Sequence, residues 1–330
     1  MRPGWVSAWL GAFGDGEPRV IAVRDSGELA AVLPMHSRRG RLYSPANWHS
    51  PVFGPIAADE RARDVLLKEL FRQPHPSVEL NLLDGNGDGL AAIAQVARRE
   101  GRLVVSRGGL RSPFIDLVGD FDAYEQTLSR NLRKNLRRRR RQLEAAGDVS
   151  FDVHDGREGL DERLEEAFRV EASGWKGLYG TAIASRDDTR RFYVDVARWA
   201  AARGWLRLSF LRLGGRPIAC DYAIVHRGVW YTLKAGYDEA FSLFSPGSLL
   251  LREQLVHCFE GGLSRMELLA PDDSFKRSWT DRCGERGWLR AFRRGSSAGL
   301  VDWTRVAGRE HLRPLARRVK RRARRLRGSR

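Results

Sequence analysis

Alternating apolar and polar residues mark two stretches of the chain and predict a β-hairpin in each. In the first, apolar and β-branched residues flank a turn sequence at Asp25–Glu28. In the second, the alternating segments 206–213 and 217–225 surround Gly214–Gly215. Further short apolar runs predict strands at 41–43, 78–83, 102–106, 229–233 and 265–269.

Apolar residues spaced three or four positions apart predict helices between these strands. The clearest helix covers 128–146, with four leucines on one face and Gly147 as its stop. Others are predicted over 60–72, 90–100, 161–172, 188–203 and 248–259. Strands alternating with helices in this way predict an α/β fold with helices packed on mixed sheets.

The two halves of the chain resemble each other at one constant offset of 188 positions. The matched segments are Ser26–Gly27 with Gly214–Gly215, Leu42–Tyr43 with Trp230–Tyr231, and Val78–Leu80 with Met266–Leu268. A shared offset across three strands predicts a duplicated hairpin–strand–helix–strand unit. The alternative is coincidence among common α/β patterns.

The positive charge is concentrated in two segments. The 330 residues include 58 Lys and Arg against 41 Asp and Glu. Eight basic residues lie in 130–141 and ten in 313–330, which leaves 40 basic against 41 acidic residues elsewhere. A nucleic-acid-binding domain usually spreads its basic residues over one face. Here the excess charge lies in two short basic segments, and the rest of the chain is nearly neutral.

Cysteine usage and hydropathy place the chain in a reducing, aqueous compartment. Three scattered cysteines make no disulfide framework, and no Cys/His group has zinc spacing, so we expect no metal. No apolar run approaches the roughly 18 residues that span a bilayer, and the N-terminus lacks the core of a signal peptide. These observations predict a soluble cytoplasmic protein.

The first candidate site follows the strand at 229–233 and opens a helix. Ser245 is predicted as the N-cap, Pro246 suits the first turn, and Gly247 lets the backbone approach a ligand. The N–H groups of such a helix start, together with Ser248, suit the pyrophosphate of a nucleotide donor. The alternative is an ordinary capped helix.

The second candidate site is the loop 171–182, where glycines surround Trp175 and Lys176 after Glu171. An aromatic wall beside a cation suits substrate binding, although a helix-terminating loop with a packed tryptophan is the alternative. Among candidate bases, Asp221 interrupts an apolar strand. It is either partly desolvated, as a general base requires, or exposed on the polar side of the strand.

Three segments together resemble a known family: Glu171–Ala182, Lys234–Glu239 followed by Ser245–Gly247, and the Arg-rich Asn131–Arg138. They resemble the CelD-like acyltransferases, described by a BioF2-like acetyltransferase domain, and also the Fem-type peptidyltransferases with two GNAT-like halves. The resemblance covers about 120–282 strongly and the first 120 residues weakly. It implies two tandem GNAT-like domains, of which the N-terminal one is degenerate.

The resemblance also implies roles for individual residues. Lys234, Tyr237 and Asp238, with Asp221, are expected in the catalytic cleft. Glu171, Trp175 and Lys176 are expected to bind the acceptor, with Lys234 and Trp175 lining one cleft. A third expected group binds the phosphates of the donor: Ser245, Gly247, Ser248 and Lys276.

The chain departs from the family pattern at the phosphate-binding motif. The usual GNAT signature, Gln/Arg-x-x-Gly-x-Gly/Ala, is absent, and only Ser245–Gly247 stands in its place. The donor therefore remains open between acyl-CoA and a Fem-like aminoacyl-tRNA.

These inferences divide the chain into an N-terminal GNAT-like domain (1–125), an Arg-rich connecting helix (126–148), a C-terminal acyltransferase domain (149–300) and a basic tail (301–330). The expected activity is transfer of an acyl group, which the resemblance implies is an acetyl group, from acyl-CoA to an amine or hydroxyl of a glycan-type or small acceptor. The alternatives are an aminoacyl-tRNA-dependent transferase and a non-catalytic polyanion- or membrane-binding protein. No permanently bound cofactor is expected, and the basic tail is expected to attract anionic membrane or RNA.

Overall fold

A computed structural model describes residues 2–85, 89–174, 177, 179–269 and 271–310. The strands are β1 Glu17–Asp25, β2 Glu28–Arg38, β3 Arg41–Tyr43, β4 Ile56–Ala57, β5 Ser77–Asp84, β6 Arg102–Asp116, β7 Val149–His154, β8 Leu206–Leu213, β9 Arg216–His226, β10 Val229–Tyr237, β11 Arg265–Glu267 and β12 Cys283–Arg293. The helices are α1 Pro3–Phe13, α2 Glu60–Arg72, α3 Gly89–Arg99, α4 Phe121–Thr127, α5 Arg130–Ala146, α6 Leu160–Ala172, α7 Asp187–Ala201, α8 Pro246–Glu260, α9 Ser274–Arg277 and α10 over 297–310.

The chain forms two compact units that interleave along the sequence. The first unit comprises the residues up to Gly14, Trp48–Pro51 and Leu110–Arg286. The second comprises Asp15–Asn47, Val52–Gly109 and the residues from Gly287 onward. The division of the chain into domains at residues 125, 148 and 300 stays a prediction, and α5 lies within the first unit.

The sheet of the first unit has helices on both faces. Its strand order is β6-β11-β10-β9-β8-β7, with β10 and β11 parallel and the other neighbours antiparallel. Successive residues of β9 point to opposite faces. Ala219 and Ala223 therefore pack with α8 in one buried cluster, whereas Cys220 and Tyr222 pack with α6 and α7 in another.

The second unit repeats part of this arrangement around its own core. Its strands follow the order β1-β2-β3-β5-β12-β6, and β3 and β5 are the parallel pair. Helix α2 buries Leu66 and Leu70, which join the buried Leu33 of β2 and Val78 of β5 among the fully buried residues of the unit.

Strand registers confirm the predicted duplication. Pairings of β2 with β3 and of β3 with β5 have counterparts 188 positions later: Leu42–Val78 with Trp230–Met266, Tyr43–Glu79 with Tyr231–Glu267, and His36–Tyr43 with Ile224–Tyr231. Even the irregularities match, because a β-bulge follows Val23 in β1 and Leu211 in β8. The fold is a mixed α/β fold of two related halves, as predicted.

The structure corrects several predicted elements. Leu128 lies before α5, which begins at Arg130 with the Ser129 side chain as its cap. The strand predicted at 102–106 continues to Asp116. Helices α1 and α4 and strands β7 and β12 were not predicted, because their patterns are short or interrupted and their stability comes from tertiary packing. The basic tail from residue 311 lies outside the described residues.

Among the described residues, no helix combines the length and the hydropathy that crossing a membrane requires.

Candidate active site

Strands β10 and β11 diverge in the middle of the first unit's sheet. Their parallel pairing ends at Tyr231 and Glu267, although β10 continues to Tyr237. Beyond β11, Leu269 adopts a left-handed backbone with φ of 58°, which is unusual for a bulky residue. The Lys276 ammonium donates to the Leu269 and Pro271 carbonyls at 2.9 and 3.0 Å. Lys276, predicted to bind donor phosphate, thus holds the turn that follows β11.

Helix α8 begins beside the diverging end of β10 and presents an N-terminus without a side-chain cap. Ser245 occupies the N-cap position, but its backbone is left-handed and its side chain makes no capping hydrogen bond, which corrects the predicted cap. The first turn contains no acidic residue. Pro246 has no N–H, and the Ser248 N–H donates to the Ser245 carbonyl at 3.0 Å. Gly247 lies beside Tyr237, since a Cβ on Gly247 would be 3.5 Å from Tyr237 Cδ1.

The corresponding helix of the second unit, α2, is capped in the ordinary way. The Asp59 carboxylate accepts a hydrogen bond from the Ala62 N–H at 2.7 Å, and Glu60 follows it. A carboxylate at this place occupies a donor that an anion would need and repels phosphate. Of the two related helix starts, only that of α8 suits an anion, which agrees with a degenerate N-terminal half.

Lys234 and Glu171 meet on the opposite side of β10. Lys234 Nζ lies 3.5 Å from Glu171 Oε1 and donates to the Thr181 carbonyl at 3.3 Å. Glu171 Oε2 accepts from the Ile183 N–H at 2.8 Å. The pair therefore links β10 and α6 to Thr181 and Ile183, at the C-terminal end of the predicted substrate loop. Trp175 and Lys176 lie outside the described residues, so their place in one cleft with Lys234 stays a prediction.

Two local features make this meeting feasible. A β-bulge between Thr232 and Lys234 shifts the register against β9, so Thr232 and Lys234 face different sides of the sheet. Gly236 lies against α6, where a Cβ would be 2.6 Å from Glu171 Cα. Any larger residue at 236 would push α6 away from β10.

Asp221 lies on the other face of the sheet, towards α8. It is 1% exposed, so the alternative of a solvent-facing carboxylate is wrong. Its Oδ2 accepts from Gln254 Nε2 at 2.8 Å, and the Trp230 indole and Thr232 hydroxyl lie at 3.4 and 3.5 Å. Asp221 thereby ties β9 to β10 and α8, directly before the bulge. Its predicted catalytic role remains a prediction.

Asp238 and Tyr237 end β10 in different ways. Asp238 accepts from the Ala240 N–H at 3.1 Å, which caps the 3-10 helix Glu239–Phe244, and its other oxygen accepts from Arg216 at 2.6 Å. Tyr237 lies next to the start of α8, and burial, followed by the neighbouring Glu239 carboxylate, raises its pKa. Tyr237 therefore keeps its phenolic proton at neutral pH, and Asp238 is engaged in local structure.

One residue of the site was missed by sequence reasoning. His49 comes from the first half of the sequence but belongs to the first compact unit, where its Nδ1 lies 3.4 Å from the Tyr193 hydroxyl. Its ring stacks on Phe13 with centroids 5.4 Å apart. Burial and then the charge of Lys234 lower the pKa of His49 to about 4. No local motif surrounds this histidine, so only the fold reveals that the charge of Lys234 acts on it.

The loop that carries His49 is held by α1. The Trp5 indole donates to the Ser50 hydroxyl at 2.8 Å, and Phe13 at the end of the same helix stacks on the histidine. The imidazole is therefore a fixed hydrogen-bonding group that is neutral at neutral pH. Within the described ranges, no three His, Cys, Asp or Glu side chains are grouped to hold a metal ion.

Comparisons with known proteins agree with this geometry. The sequence profile of the acetyltransferase (GNAT) domain family matches residues 130–277. FemX is similar in structure, with a TM-score of 0.59 at 12% identity over 87% of this chain and 90% of that chain. No curated protein matches the sequence.

Two further similar structures belong to lysylphosphatidylglycerol synthetases. The C-terminal domain of a protein assigned this activity in Agrobacterium fabrum has a TM-score of 0.56 at 14% identity, covering 89% of each chain. The L-PGS of Bacillus licheniformis has a TM-score of 0.53 at 16% identity, covering 93% of this chain and 97% of that one. At these identities the likeness concerns the fold. The fold is thus that of a GNAT-type, acyltransferase-like protein.

Proposed function

We propose that this protein transfers an acyl group, in the simplest case acetyl, from acyl-CoA to an amine or hydroxyl. The observation that carries the proposal is the uncapped N-terminus of α8 beside the divergence of β10 and β11. The start of α8 offers the Gly247 N–H and the positive end of the helix dipole to a pyrophosphate. The diverging strands leave room beside Tyr237 for the thioester arm of the donor.

The remaining site residues support the acceptor side of the reaction. In the proposed reaction, the acceptor attacks the thioester carbonyl, the C–S bond breaks, and the thiolate leaves. Water takes the acceptor's proton, while Tyr237 is protonated and can donate one to the thiolate. The Lys234–Glu171 pair orders the acceptor loop, and this positioning supplies much of the rate.

The same proposal includes the acceptor and the relation of this chain to the CelD-like acyltransferases. On the motifs in Glu171–Ala182 and Lys234–Glu239, we place the chain near the CelD-like acyltransferases, with a glycan- or envelope-related acceptor. Acyl-CoA is a cytoplasmic donor, so the proposed reaction is cytoplasmic, at or near the inner membrane surface. The basic tail, 313–330, serves placement and is dispensable for catalysis in this account.

A second donor, aminoacyl-tRNA, is favoured by one specific observation. The GNAT phosphate signature is absent, although the fold resembles that of FemX at a TM-score of 0.59. In that case the exposed arginines of α5 would contact RNA phosphates. A non-catalytic polyanion-binding role would need neither donor.

Calorimetry of the purified protein with acetyl-CoA, longer acyl-CoAs and charged tRNA separates these functions. The proposal predicts saturable binding of an acyl-CoA and no dependence on the charged state of tRNA. Tight binding of charged tRNA without acyl-CoA binding would favour the aminoacyl donor. Binding of tRNA irrespective of charging, with no acyl-CoA binding, would leave only the polyanion-binding role.

A further inference from the structure

Four cations form an exposed stripe along α5. Arg130, Lys134, Arg138 and Arg141 are all exposed, and their spacing of three or four positions aligns them on one side of the helix. Within the described part of the chain, none of them forms an ion pair with an acid. The stripe thus presents four uncompensated charges to solvent.

The other side of α5 is used by the fold. Leu136 and Leu143 are buried in the apolar cluster of the first unit. Arg140 pairs with Glu253 of α8 at 2.9 Å, and Arg137 lies 3.7 Å from Glu125 of α4. Packing and internal ion pairs therefore account for the inner residues of α5, whereas neither accounts for the four outer cations.

An exposed leucine lies next to the C-terminal end of this helix. Leu243 is 74% exposed, on the 3-10 helix that packs against α5. Two hydrogen bonds lie between the end of α5 and this 3-10 helix. Just after α5, the Asp148 carbonyl accepts from the Gly214 N–H at 2.7 Å. Two residues further on, Arg216 donates at 2.6 Å to Asp238, which caps the 3-10 helix. The helix that carries the cationic stripe thus packs against the short helix that carries an exposed apolar side chain.

We propose that this face of α5, with Leu243, docks the protein on an anionic membrane surface. The cations suit anionic headgroups, each adding attraction within a Debye length of the surface. The leucine suits the headgroup–acyl boundary, where an apolar side chain gains by leaving water. An RNA backbone would use the cations but gain little from an exposed leucine, and for this reason the membrane is the favoured partner.

The test is co-sedimentation of the full chain with vesicles of phosphatidylglycerol and phosphatidylcholine, compared with phosphatidylcholine alone. The stripe variant is R130Q/K134Q/R138Q/R141Q. The matched control is R61Q/K68Q/R98Q/R99Q, which removes four exposed cations from α2 and α3. We expect binding to anionic vesicles to fall about 100-fold in the stripe variant and only a few-fold in the control. Leu243→Ser should weaken it several-fold while leaving salt dependence unchanged.

Three results would overturn the proposal. Equal losses in both variants would mean that net charge, not α5, drives binding, and no loss in either would mean a solvated helix face. Unchanged vesicle binding with lost binding of a labelled oligouridylate would make RNA the partner. The proposal is independent of the acyltransferase function, because the stripe variant should keep its acetyl-CoA affinity and thermal midpoint.

Discussion

Lys234 and Glu171 are 63 positions apart in sequence, yet their charged groups lie 3.5 Å apart inside the first unit. The side chains are only 15% and 2% exposed, so the two opposite charges attract each other where solvent screens them little. Because the same two groups also hold Thr181 and Ile183, the pair links the strand after the bulge to the acceptor loop.

Breaking this pair should destabilise the protein more than removing it whole. Lys234→Met removes the ammonium that pairs with the buried Glu171 carboxylate, and we expect a loss of about 3–5 kcal/mol in the free energy of unfolding. The double variant K234M/E171Q should lose less than the sum of the two single variants. Urea unfolding measures all three. Strict additivity, with each single variant costing under about 1 kcal/mol, would mean that the two groups do not interact.

His49 should make stability depend on pH in a defined window. The pKa of this histidine is lowered to about 4 in the folded chain, from an ordinary value of 6.5. Between these values the unfolded chain binds a proton that the folded chain does not. The stabilising contribution is therefore full above pH 6.5 and is lost as the pH falls towards 4.

Comparison with His49→Gln isolates this effect from other titrating groups. We expect the wild-type protein to lose more unfolding free energy than H49Q between a pH above 6.5 and a pH of about 5. In NMR titrations, Lys234→Met should raise the pKa of His49, because it removes one of the charges that lower it. If K234M leaves that pKa unchanged, the imidazole is not beside the ammonium.

Asp221 offers a test between a catalytic and a positioning role. Asp221→Asn keeps the shape and one oxygen acceptor for Gln254, whereas Asp221→Ala leaves buried donors without a partner. We expect D221A to lower the free energy of unfolding by about 2–3 kcal/mol, and D221N to lower it less. If Asp221 only holds β9, β10 and α8 in place, the transfer activity of D221N, measured by CoA release, should stay within several-fold of wild type. A loss beyond a thousandfold at unchanged stability would make Asp221 the base.

Local patterns in the sequence were enough to predict the duplicated scaffold. The turns at Ser26–Gly27 and Gly214–Gly215 and the parallel pairs at Leu42 and Trp230 are encoded by residues close in sequence, so a constant offset exposed them. The resemblance likewise singled out Glu171 and Lys234, which the fold brings together.

The rest of the site depends on long-range packing that no local pattern records. His49 reaches the first unit because α1 and the loop at Trp48–Pro51 pack there, far from the sequence of the other site residues. The bulge before Lys234 decides which face that side chain takes, yet Leu233 is an ordinary strand residue. Ser245 was predicted to cap α8 from its residue type, but its left-handed backbone turns the side chain away from that role.

Acetyl-CoA calorimetry on Gly247 variants tests whether the start of α8 binds the donor. A Cβ at Gly247 meets only Tyr237 Cδ1 at an ordinary 3.5 Å, so Gly247→Ala should bind nearly as the wild type does. Gly247→Asp puts a carboxylate at the start of α8 and should weaken binding by at least about 10-fold. The account predicts one site per chain, because Asp59 already occupies the related helix start of the second unit. Full affinity in G247D, or two equal sites per chain, would contradict it.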